Sequence, residues 1–153
     1  MTREGLTVLE HELRRLKSEE RPAVIKAIAE AREHGDLSEN AEYHAARERQ
    51  SFIEGRIAEL EDVTSRAETI DTSEMSGDTV RFGAHVLVAD TDTDEETEYR
   101  IVGAMEADLE LGKISVTSPL ARALIGKTIG DVVEVATPGG GKSYEICKVL
   151  WKN

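Results

Sequence analysis

Two acids, Asp36 and Glu39, stand in the segment Ala31-Arg32-Glu33-His34-Gly35-Asp36-Leu37-Ser38-Glu39-Asn40-Ala41-Glu42-Tyr43, between two long helical patterns. Two chemistries suit them. Carboxylate oxygens are hard donors that match Mg²⁺, an ion that keeps most of its waters and is rarely enclosed by protein alone. Two carboxylates hold it weakly, so such a pair works only where another site supplies the remaining ligands. The same spacing also describes a helix start, with Asp36 as N-cap and Glu39 completing a capping box. Negative charge is favoured at that end of a helix as well. Ser38 competes for the N-cap, which would leave Asp36 free in the turn. Spacing alone leaves capping and metal binding both open. Behind the acids stand Arg32, Arg47 and Arg49. If the flanking helices pair antiparallel, Arg32 and Arg47 lie at similar depths and form a patch able to touch a phosphate backbone. Ordinary surface ion pairing is the alternative for these arginines.

Other constellations fall away. Gly141-Lys142-Ser143 resembles the end of a phosphate-binding loop, but Ala136 stands where the first glycine is needed and a strand follows rather than a helix. The run Asp90 to Glu96 lacks the central glycine and spaced glutamate of a calcium loop, and reads as a solvated turn. His11-Glu12 has no second histidine at the metalloprotease spacing, and His34 has no evident partner. Cys147 alternates inward in a strand pattern and is expected in the core.

The elements that position the acids are helical. Leu6, Leu9, Leu13 and Leu16 recur at helical spacing, and Val24, Ile25, Ile28 and Ala31 resume the stripe after Pro22, which predicts a kink or restart. The first helix is expected over Thr7 to Glu33, with Gly35 beyond its end as the cap residue. A second is expected over Ser38 to Glu68, with Ala46, Ile53, Leu60 and Ala67 in heptad register and Gln50, Ile57 and Thr64 as the companion series. Two such helices joined by a short turn predict an antiparallel coiled-coil hairpin of roughly 40 Å, with the acids at its tip. Residues 71–78 are polar and turn-forming. From Val80 the period becomes two, predicting strands at 84–89, 97–102, 113–116, 131–136 and 143–151. Ser118-Pro119 predicts the start of a short helix, with Ser118 as N-cap and proline at the first position. The fold class is therefore α+β: a helical hairpin over 1–75 with its tip at 34–43, and a small antiparallel-sheet domain with one short helix over 76–153.

Composition narrows the function. Net charge is −12 and aromatic content 4%. On electrostatic grounds alone free nucleic acid is not expected as a direct partner, and no stacking platform for bases is evident. One cysteine permits neither a disulfide framework nor a four-cysteine zinc site, and fits a reducing cytoplasm. The N-terminal stretch runs straight into charged helix, so neither a signal peptide nor a membrane partner is expected.

The segment Ala29 to Glu48 resembles the tip of the GreA/GreB family of bacterial transcript cleavage factors. Tyr99 to Gly103, Glu106 to Asp108, Ile114 to Gly126 and Gly130-Asp131 resemble that family's C-terminal domain, and the likeness is nearer its GreA members. The resemblance covers nearly the whole chain and implies an FKBP-like C-terminal fold. It also implies a role: the hairpin enters the secondary channel of RNA polymerase while the globular domain docks on the channel rim. In a backtracked complex the tip helps the polymerase hydrolyse its own displaced RNA 3′ end. On this resemblance Asp36 and Glu39 supply catalytic and Mg²⁺-binding carboxylates, the ion being shared with the polymerase. Arg32 and Arg47 match the basic patch that meets the RNA 3′ end, Asn40 and Tyr43 match the tip, and Thr117, Ser118 and Pro119 match the docking loop. The expected protein is a monomeric cytoplasmic factor, not itself a hydrolase. Two alternatives remain: a channel-binding inhibitor of the same fold, and an FKBP-like prolyl isomerase or chaperone. An isomerase needs an aromatic-lined pocket, for which Phe82, Tyr99, Tyr144 and Trp151 are the available side chains.

Overall fold

A computed structural model of the chain describes residues 1–35 and 40–152. Its contacts divide it into two units: Glu4–Glu68, and Met1–Arg3 together with the chain from Thr69 onward. The sequence pattern suggests a division after residue 75, whereas the contacts break after Glu68. The reason lies in backbone pairing. The Ile70 N–H donates to the Met1 carbonyl at 2.9 Å. Thr2, 1% exposed, donates its N–H to Glu106 Oε1 at 2.7 Å.

The first unit is helical. Helix α1 (Arg3–Arg15) runs into a π-helical turn at Leu16–Glu20, which leads into α2 (Arg21–Arg32). The expected interruption at Pro22 is this turn. Proline has no N–H to offer the carbonyl four residues back and crowds it. The wider turn absorbs the mismatch: the Arg21 N–H reaches back to the Leu16 carbonyl, one residue further than in an α-helix. Helix α3 (Ala41–Arg66) forms the second arm. Leu9, Leu16, Val24 and Ile28 on the first arm, and Ile53, Ile57 and Leu60 on the second, are buried. Each buried aliphatic side chain contributes about 1.5–3 kcal/mol. Ile25 departs from the expected stripe and is 52% exposed. It sits one helical step from Val24, which is fully buried, and neighbours about 100° apart on a helix cannot both face one seam.

Charged staples reinforce this narrow seam. Arg21 pairs with Glu54 at 2.7 Å, Arg49 with Glu20 at 2.6 Å and Arg56 with Glu12 at 2.9 Å, and Lys17 pairs with Glu61. Each of the four joins one arm to the other. Hydrogen bonding from Arg56, reinforced by its charge, holds the Glu12 carboxyl below its ordinary pKa.

The second unit is a five-stranded sheet in the order β3-β2-β1-β5-β4. The strands are β1 (His85–Asp90), β2 (Glu96–Val102), β3 (Lys113–Ser115), β4 (Val132–Thr137) and β5 (Gly140–Leu150). Three of its pairings are antiparallel, as the hairpin signals predict, but β2 and β3 run parallel, with Ile101 opposite Ile114. The connection 103–112, with two 3-10 turns, carries the chain back so that β3 starts beside Arg100. Val86, Val88, Ile101 and Ile146 form the core with Ala121 and Leu124 of the short helix α4 (Pro119–Leu124). Cys147 lies outside that core. The pairing of β1 with β5 steps from Val88–Ile146 to Leu87–Lys148, leaving Cys147 as the extra residue of a bulge, half-buried. Burial and nearby carboxylates push its thiol pKa up, which makes it a poor nucleophile. Phe82, Tyr99, Tyr144 and Trp151 pack against the core, and the Trp151 indole donates to the Gly77 carbonyl at 3.1 Å. These four aromatic side chains are thus engaged in holding the unit together.

Candidate functional site at the hairpin tip

The tip is built from the ends of α2 and α3. The Glu33 and His34 N–H groups close the last turn of α2 on the Glu30 and Ala31 carbonyls, each at 3.2 Å. Gly35 then turns the chain with φ +114°, a conformation that side chains resist. The acids Asp36 and Glu39, with Ser38, lie outside the described residues. The chain is described again from Asn40, and the N-cap of α3 is Asn40, with extended φ −81° and ψ 102°. Its Oδ1 accepts the Tyr43 N–H at 3.1 Å. Asp36 and Ser38 were the candidates for that position; the N-cap falls two residues beyond Ser38.

Asn40 also reaches across the hairpin. Its Nδ2 donates to the Ala31 carbonyl at 2.6 Å, in the last turn of the opposite arm. One amide therefore bonds both a carbonyl in the last turn of α2 and an N–H in the first turn of α3, at helix ends where the regular i to i−4 pattern stops. Tyr43 extends the cluster. The Arg32 guanidinium carbon lies 6.0 Å from the centroid of its ring, and the His44 ring meets it edge-on at 5.6 Å.

Arg32 and Arg47 come together as expected from their depths on the two arms. Both line an open groove of about 260 Å³ with Ile25, Ile28, Ala29 and Gln50. Both are exposed, and neither makes an ion pair with another described residue. The contrast with their neighbours is informative. Arg21, Arg49 and Arg56 are engaged across the hairpin, whereas the arginines nearest the tip flank an apolar floor. Of the three arginines singled out by sequence, Arg49 follows the ion-pairing alternative. The floor, including the exposed Ile25, escaped the sequence pattern because Ile25 fits the stripe by spacing alone.

The other candidate residues belong to the second unit. Ser118 caps α4, its hydroxyl accepting the Ala121 N–H at 3.2 Å. The Thr117 N–H donates to Ser115 Oγ at 3.2 Å, and the two hydroxyls meet at 2.7 Å. Thr117 and Pro119 are exposed, while Ala121 and Leu124 behind them are fully buried. The loop is a hydrogen-bonded, outward-facing corner anchored in the core.

Among the described residues, no three or more His, Cys, Asp or Glu side chains converge on a possible metal site. No described helix is long and apolar enough to cross a membrane.

A two-armed helical unit followed by a sheet unit with one short helix matches a class of transcription factor over both parts. Residues 1–69 match the family described as "Transcription elongation factor, N-terminal", and residues 75–150 that described as "Transcription elongation factor, GreA/GreB, C-term". The chain belongs to the GreA/GreB family of transcription elongation factors. It is 70% identical over 149 residues to transcription elongation factor GreA of Rhodospirillum rubrum, covering 97% of this chain and 95% of that one. It is 68% identical to transcription elongation factor GreA of Acidiphilium cryptum, over the same shares of the two chains. Among solved structures, GreA factor homolog 1 of Thermus thermophilus is 30% identical, with a TM-score of 0.44 over 98% of this chain and 97% of that one.

Proposed function

We propose that this elongation factor stimulates RNA cleavage by RNA polymerase, with its hairpin tip in the secondary channel and Asp36 and Glu39 at the active centre. The observation that carries the proposal is the pairing of Arg32 and Arg47 in one groove beside the tip, away from the ion pairs that occupy the hairpin's other cross-arm arginines. Two cations over an apolar floor suit the terminal nucleotides of a displaced RNA: phosphate oxygens meet the guanidinium groups and a base or sugar meets the isoleucines.

The chemistry of the donor set fits Mg²⁺. Asp36 and Glu39 are hard oxygen donors, two in number, and so suited to an ion whose other ligands come from the polymerase, the RNA and water. When bound there, a second Mg²⁺ would stabilise charge on the oxygens of phosphodiester hydrolysis. The residues of this chain do the positioning: the carboxylates present oxygens, Arg32 of α2 and Arg47 of α3 hold the RNA end, and Asn40 and Tyr43 join the ends of those two helices. The factor itself is no hydrolase, because its half-site is incomplete without the polymerase. It acts as a monomer. The corner at Thr117, Ser118 and Pro119 serves as the docking loop for the rim of the channel.

Adding the protein to backtracked elongation complexes with Mg²⁺ tests the proposal. Rapid appearance of a shortened RNA that the polymerase can extend is expected. Slowed nucleotide addition without cleavage would overturn the proposal in favour of a channel-blocking inhibitor.

A further inference from the structure

We propose that Asn40 is a positioning residue whose amide locks the two arms of the tip in register, and that only a side chain with both a donor and an acceptor can do so. The inference rests on the cleavage reading for its functional half. Its structural half stands alone.

The geometry is specific. At the start of α3 the Asn40 carbonyl oxygen caps Tyr43 N–H at 3.1 Å, a task that Asp or Ser also performs. The amide nitrogen donates to the Ala31 carbonyl at 2.6 Å, a task that aspartate cannot perform and serine is too short to reach. That carbonyl is available because Gly35, the residue whose N–H would bond to it in a continued helix, leaves the helix with φ +114°. It also accepts the His34 N–H at 3.2 Å. The two bonds join residues nine and three positions apart, so the amide ties the closing turn of one arm to the opening turn of the other. Arg32 follows Ala31 directly and lies over the ring of Tyr43, so the same clamp sets where Arg32 stands. An error of about 1 Å in such a constellation is enough to lower a rate about a hundredfold.

The test uses Asn40→Asp and Asn40→Ser, which keep the cap and lose the cross-arm donor, beside Asn40→Ala, which loses both. Spin labels at the exposed positions Glu33 and Glu42 report the distance across the tip in the free, full-length chain. The wild type is expected to give one narrow distance distribution, and all three variants a broadened one. In backtracked complexes, the same variants are expected to lower the maximal cleavage rate at least tenfold while leaving the half-saturating factor concentration within twofold. A merely unfolded hairpin would instead raise that concentration. A narrow, wild-type distribution in Asn40→Asp and Asn40→Ser overturns the clamp, whatever the cleavage rate. A broadened distribution with an undiminished maximal rate overturns its role in cleavage. Failure of the wild-type chain to stimulate cleavage would refute the proposed function and leave the distance measurement to decide the clamp.

Discussion

Arg32 and Arg47 differ from every arginine that staples the hairpin, and the difference makes a separable prediction. Arg32→Ala and Arg47→Ala should each slow cleavage roughly 5- to 30-fold, the worth of about 1–2 kcal/mol for a charge-assisted contact to RNA. Thermal unfolding should barely move, because neither side chain closes an ion pair to a described residue and the Arg32–Tyr43 contact is worth at most about 1 kcal/mol. Circular-dichroism melts and single-turnover cleavage read the two effects separately. Gly35→Ala should behave in the opposite sense. A methyl group there meets nothing within 4 Å, yet φ +114° strains any side chain, so the hairpin should lose about 1–3 kcal/mol in urea titration. The pairing of the two arginines was legible in the sequence because depth from the tip follows from counting along two arms. The clamp was not. Asn40 directly before Ala41 carries an N-cap signal, but Asp36 and Ser38 offer the same signal nearby. Its bond to Ala31 exists only once the arms have met.

The hairpin is held by a thin apolar seam and by cross-arm charges, so its stability should depend on pH and salt. The folded-state pKa of Glu12 is lowered by Arg56. A carboxyl depressed in this way stabilises the fold above its ordinary pKa, and the contribution is lost as pH falls through the folded value. Glu12→Gln should therefore melt below the wild type at neutral pH, by up to about 1 kcal/mol for a partly exposed pair, and the gap should close as acidification carries the pH below the ordinary glutamate pKa and through the lowered folded value. Added salt at neutral pH should narrow the same gap. At this scale, capping and period are legible where one turn or one strand decides them, and the choice of strand partner is not. Ser118 and Pro119 announce α4 because capping and a fixed φ act within one turn. The parallel β2–β3 pair and the bulge that turns Cys147 out of the core each depend on which partner the backbone finds. Alternation along one strand does not encode that choice.

In the whole molecule, the proposed function divides work between two units, and that division can be read in kinetics. Thr117 and Pro119 face outward from a corner anchored by Ala121 and Leu124. Pro119→Ala should thus raise the factor concentration needed for half-maximal cleavage and preserve the maximal rate, as measured by titration against backtracked complexes. A net charge of −12 fits a factor that docks through such local contacts and does not cling to RNA along its length. Substitutions at the tip should do the reverse, lowering the rate without loosening the complex. The most direct measurement compares Asp36→Asn and Glu39→Gln with the wild type, scoring RNA cleavage in backtracked complexes and competition for polymerase in the same samples. Both variants should displace the wild-type factor at its own concentration and yield essentially no shortened RNA; wild-type cleavage by either one would contradict the assignment of the tip carboxylates.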